Sequence, residues 1–140
     1  MRRKELLSDT EMYRHTADII ENVKDTKISV NTNMSRETAY VCTKGGKHKI
    51  MLGDMKGVER FTQLNHELGH VMFDSPIQSA KKMIKRWARD YDKEYEGVVS
   101  KIYWGALNTI EDQRVEALMS KLWLGNEMRF TKARANLGQN

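Results

Sequence analysis

Along most of the chain apolar positions return every three to four residues, the period of helices, and only between residues 27 and 52 does the period fall to two. Met12, Thr16, Ile19, Ile20 and Val23 predict the inner stripe of a first helix. Ser8-Asp9-Thr10-Glu11 reads as its capping box, and the helix is expected to end near Asp25. Lys27 to Asn31 alternates apolar and polar side chains, as a short strand does. The segments 38–43 and 48–52 flank Lys44-Gly45-Gly46-Lys47, whose paired glycines can take the positive φ angles of a tight turn, so they predict a β-hairpin. Phe61, Leu64, Leu68, Val71 and Met72 then recur at helical spacing and predict a helix packed into the core.

Beyond it, Ser75 reads as a cap, Pro76 as the first helical position and Gln78 as the closing residue of a capping box. The helix they open is basic, with Lys81, Lys82, Lys85, Arg86 and Arg89 around a seam of Met83, Trp87 and Tyr91, which reads as a solvated face. The pattern breaks at Tyr95-Glu96-Gly97, resumes at Val98 and continues through Ile102, Leu107, Ile110, Leu118 and Leu122 to the neighbourhood of Gly125. Residues 126–140 are polar and basic and read as a loosely held tail. The expectation is a single α+β domain over residues 1–140: an N-terminal helix, a small mixed sheet containing a hairpin, a central helix, and two long C-terminal helices.

The central helix carries the chemistry. His66 and His70 stand four residues apart, so both imidazoles lie on one face, at the spacing of a helical zinc site. Glu67 lies about 100° round from His66, a position suited to a general base acting on water and not to a ligand. Two histidines and a glutamate on a largely apolar helix are costly unless something satisfies them, and a metal does so. A catalytic zinc site takes three protein ligands and leaves one position open. Cys42 is the only cysteine, so the ligands must be histidine and carboxylate. Phe73 and Pro76 occupy the positions where a HExxHxxGxxH pattern needs glycine and histidine, which excludes a third histidine from this helix. Glu111 is the candidate third ligand, with Asp112 and Glu116 as local alternatives. Asp74, one turn beyond His70, is a further acid that would orient a ligand, bind the metal or simply end the helix in solvent.

The stretch His66-Glu67-Leu68-Gly69-His70, followed some forty residues later by a helical glutamate, resembles the gluzincin branch of the zincin metallopeptidases. Residues 107–116 are also similar to the segment after HExxH in metallopeptidase-like domains found with von Willebrand-type modules in chelatase-associated proteins. The resemblance implies a compact zincin-like fold in which His66, His70 and Glu111 bind Zn2+ and Glu67 activates water and passes its proton to the leaving amine. It also implies an orienting aspartate. The position four residues after Glu111 holds Val115, so Asp112 or Asp74 is expected to serve instead. Tyr103, two turns before Glu111, matches a tyrosine that helps to hold the oxyanion in thermolysin-type enzymes. Such folds bind extended substrate along an edge strand, and Ile50-Met51-Leu52 is the candidate edge.

Composition refines this picture little. With 31% charged and 39% hydrophobic residues the chain is globular and polar-surfaced, and no apolar run approaches a membrane span. The basic N-terminus lacks the apolar segment of a secretory signal, and the lone cysteine suits a reducing, cytoplasmic setting. A net charge of +5 permits attraction to nucleic acid or acidic partners, although no aromatic-basic reader motif accompanies it. The leading expectation is a zinc-dependent peptidase that hydrolyses internal bonds of a peptide or protein substrate. The competing ones are a peptidase directed at nucleic-acid-bound proteins and a zinc-stabilised binding or regulatory domain without catalysis.

Overall fold

The computed structural model describes residues 9–91 and 93–137; Ser8, read as a helix cap, and the last three residues of the expected tail lie outside them. The described chain runs through α1 (Asp9–Lys24), β1 (Lys27–Thr32), β2 (Tyr40–Lys44), β3 (Lys47–Leu52), α2 (Arg60–Met72), α3 (Ile77–Tyr91), α4 (Glu96–Leu122) and α5 (Asn126–Leu137). It is an α+β fold with a mixed sheet, as the periodicity predicts.

The hairpin turns where the glycines allow it: Gly45 and Gly46 have φ of 58° and 74°, and Lys44 faces Lys47 across the turn. β1 then adds to the other side of β3 in parallel, giving the order β1-β3-β2. The strand read as the substrate-binding edge, β3, is therefore the central strand, bonded on both sides. β2 is an edge, and its outer side has no strand partner among the described residues.

Ile28, Ile50 and Leu52 point from the sheet into the core and meet Ala17 and Ile20 of α1 and Leu64, Leu68 and Val71 of α2. The inner face of α1 is rotated from the predicted stripe: Tyr13, Ala17 and Ile20 face the core, whereas Ile19 and Val23 are exposed. Arg14 fixes that rotation, because its guanidinium spans Asp18, Glu21 and the carbonyl of Ile28 and so pins the side of α1 next to the core face to the start of β1.

Gln63 seats α2 directly after the sheet. Its buried amide accepts from the Gly53 N–H at 3.0 Å and donates to the carbonyls of Gly53 and Val58, both at 3.1 Å. α4 crosses α2 with Val115 and Met119 in the core, while its predicted stripe residues Val98, Ile102, Ile110 and Leu122 are exposed. α3 packs on α4 and on no other described element.

Residues 126–137 are not a loose tail. They form α5, which packs on α2 and α4 with Phe130 only 2% exposed, because one aromatic ring in a polar segment is enough to dock it. Asn126 caps the junction by donating to the Met119 carbonyl, and Asn136 donates to the Gly57 carbonyl at 2.8 Å, so both ends of α5 are tied.

Candidate metal centre

His66 and His70 emerge from one face of α2, and the acid that meets them from α4 is Asp112. Asp112 Oδ1 lies 3.1 Å from His66 Nε2 and 3.2 Å from His70 Nε2, and the two Nε2 atoms are 3.2 Å apart. The three atoms form a nearly equilateral triangle. Ligands bound at about 2.0–2.1 Å to a tetrahedral zinc ion are about 3.3–3.4 Å from one another, so the triangle is close to one face of that tetrahedron. These three residues can hold a metal ion.

Glu111, the ligand candidate, is turned away from the triangle. Its carboxylate receives the Arg114 guanidinium at 2.9 Å and the Ser75 hydroxyl at 2.5 Å, and the Arg114 hydrogen bond holds it below the usual carboxylate range. Successive residues on a helix differ by about 100°, so only one of the adjacent pair Glu111 and Asp112 can face α2 squarely. Asp112, expected to orient a ligand, thus faces both histidines, and Glu111, the first choice as ligand, does not. Asp74 leaves the site altogether: it follows α2 with φ of 53°, and its exposed carboxylate pairs with Lys24 at 2.7 Å. Tyr103 is also remote, half-exposed against the Trp87 ring and absent from the walls of the metal cleft.

Ser75 and Glu116 are the site residues that periodicity did not reveal in these roles. Ser75 Oγ, read as a helix cap, is shared by His70 Nδ1 at 2.8 Å and Glu111 Oε1. A hydroxyl has one proton; donated to the carboxylate, it leaves the oxygen to accept from Nδ1–H of His70. The neutral His70 ring then carries no proton on Nε2, the atom that faces Asp112. Glu116 Oε2 lies 3.6 Å from His66 Nδ1 and serves the other ring in the same sense through charge. The only advance signal for Ser75 was its place five residues after His70, where α2 must end.

Burial alone would lower the affinity of the His66 ring for a proton, but its contacts with Asp112 and Glu116 outweigh burial and raise its pKa to about 10. Burial works on Asp112 in the raising direction, and the hydrogen bond with His66 overrides it and holds the carboxyl well below the usual range. Glu67 behaves differently. Only 8% exposed, it is raised by burial, an effect the charge of His66 offsets in part.

The cleft over the triangle has a volume of about 580 Å³. It is lined by Glu67 together with His66, His70 and Asp112, by Tyr40 and Val41 of β2, and by Phe130 and Arg134 of α5. The Phe130 ring meets His66 edge-on at 6.5 Å, and Arg134 reaches to 3.9 Å from Glu116.

No protein-family model, curated protein or solved structure matches this chain. The zincin resemblance rests on the residues themselves. No described helix is long and apolar enough to cross a membrane.

Proposed function

We propose that the chain is a zinc-dependent peptidase, with His66, His70 and Asp112 holding the ion and Glu67 acting as general base. The observation that carries the proposal is the triangle of donor atoms with sides of 3.1–3.2 Å in a cleft that also contains a buried, non-ligating carboxylate. Zinc in such a shell supplies a Lewis acid for a carbonyl and brings water to a pKa of about 7. Glu67 would be the base that accepts a proton from water held there and returns it to the departing amine; its upward-shifted pKa brings it nearer the neutral range in which a base is efficient. The unpaired side of β2 along the cleft offers backbone groups to an extended peptide, replacing β3 in that role. With Tyr103 distant, Lys81 and Arg134 are the cations lining the cleft that a developing oxyanion would meet.

Zinc content and casein cleavage, measured together in wild type and Glu67→Gln, test the proposal. Both proteins should bind one zinc and only the wild type should cleave. Absence of zinc from the wild type, or undiminished cleavage by the variant, would reject it; zinc without cleavage in either would favour a non-catalytic zinc domain.

A further inference from the structure

The metal cleft does not end at its own walls. Lys81 and Trp104 also border a second groove, of about 620 Å³, between α3 and the first half of α4. Lys85, Lys93 and Lys101 line that groove as well. The acid among its lining residues, Glu96, already lies 3.9 Å from Arg89. None of the four lysines is in an ion pair among the described residues, and Lys81 Nζ instead sits 5.4 Å from the Trp104 ring centre. Four lysines and a half-buried indole thus line a groove that shares Lys81 and Trp104 with the cleft over the triangle.

We infer that this groove takes an acidic stretch of the substrate, so that peptides bearing glutamate or aspartate on the α3–α4 side of the scissile bond are the preferred class. The inference rests on the peptidase reading for its link to cleavage. Ammonium groups on flexible stems follow the irregular carboxylates of an extended peptide, whereas phosphate recognition commonly draws on the planar forks of arginine, of which this groove has none. The adjoining cleft is lined by Tyr40 and Val41 of the β2 edge, where a peptide backbone has hydrogen-bonding groups to pair with.

The test is binding to the metal-free wild type, read by anisotropy of a fluorescein-labelled, alanine-rich peptide ending in a run of glutamates. At low salt it should bind about tenfold more tightly than its glutamine counterpart, since several exposed charge pairs of modest strength act together. Most of that advantage should vanish at about 0.15 M ionic strength. The variant Lys85→Glu/Lys93→Glu/Lys101→Glu should invert the preference and bind a lysine-run peptide better, a gain that misfolding cannot imitate. Equal binding of the glutamate and glutamine peptides, an unchanged preference in the variant, or tighter binding of a DNA oligonucleotide would overturn the inference. Its failure is distinguishable from failure of the peptidase reading: acidic peptide bound but left intact by zinc-loaded protein sinks the peptidase and leaves the groove, and cleavage indifferent to acidic residues does the reverse.

Discussion

Gly69 lies so close to Val115 that a β-carbon at residue 69 would overlap Val115 Cγ1 and come within 2.8 Å of Met119 Cγ. The glycine between the two histidines is therefore what lets α4 approach α2 closely enough for Asp112 to reach both rings. In an unconstrained helix interior Gly→Ala is stabilising by about 1 kcal/mol. Here Gly69→Ala should destabilise by about 1–3 kcal/mol through overpacking and should also weaken metal binding, because α4 must move. Urea unfolding and zinc titration of the variant check both effects; a more stable variant with unaltered affinity would contradict this packing.

The adjacent acids of α4 should separate in a metal titration. Asp112→Ala should abolish stoichiometric zinc binding, whereas Glu111→Ala should still bind one zinc with affinity reduced about 10–100-fold, the usual cost of losing an outer orienting partner. Ser75→Ala should resemble Glu111→Ala, since the hydroxyl bridges that carboxylate to His70. Nitrogen chemical shifts of the His70 ring in metal-free protein should show the Nδ1–H tautomer in wild type and a mixture in Ser75→Ala. Loss of all zinc from Glu111→Ala with full retention in Asp112→Ala would restore the ligand choice made from spacing.

The stabilities of metal-free and zinc-loaded protein should diverge as pH rises. The folded pKa of His66 is raised from 6.5 to about 10, so its contribution to stability is complete below 6.5 and is lost as pH rises through about 10. Asp112 is lowered, so its contribution is present above the ordinary carboxylate range and lost as pH falls. With chelator present, this pair therefore makes the metal-free protein most stable in mildly acidic solution and less stable toward pH 10. Zinc must displace the proton from His66, so its stabilisation should grow with pH, by up to about tenfold in affinity per unit while one proton is released. Melting temperatures from pH 5 to 10, with zinc and with chelator, should diverge; parallel curves would exclude linked proton release.

Phe130→Ala should cost about 3–5 kcal/mol, the range for emptying a buried aromatic site. A chain ending at Gly125 should lose at least as much and should expose His66 to solvent. A truncated protein with undiminished melting temperature would mean that α5 is dispensable.

How far the sequence foretells this structure depends on how local the cause is. Gly45-Gly46 specify their own turn, and the α2 stripe specifies its own burial, so both the hairpin and the histidine-bearing helix are legible. Which face of α4 meets α2 is settled by Gly69 against Val115, a contact across 46 positions, and that rotation alone decides between Asp112 and Glu111. The same limit explains the sheet: β1 and β2 compete for β3, and nothing within either strand says that both will pair with it. Phe130 gives no periodic signal because one ring docks the entire segment. Ser75 was legible as a helix-boundary residue, but its hydroxyl is engaged by side chains on two other elements.

The lone cysteine leaves this small protein without an internal disulfide, yet His66 and Asp112 stand in contact 46 positions apart. An ion gripping α2 and α4 at that point would be a reversible cross-link closing a long loop, of the kind whose benefit increases with the length of chain enclosed. Chelation would then release the helices from each other as well as disarm the cleft, coupling the lifetime of the folded chain to the metal supply around it.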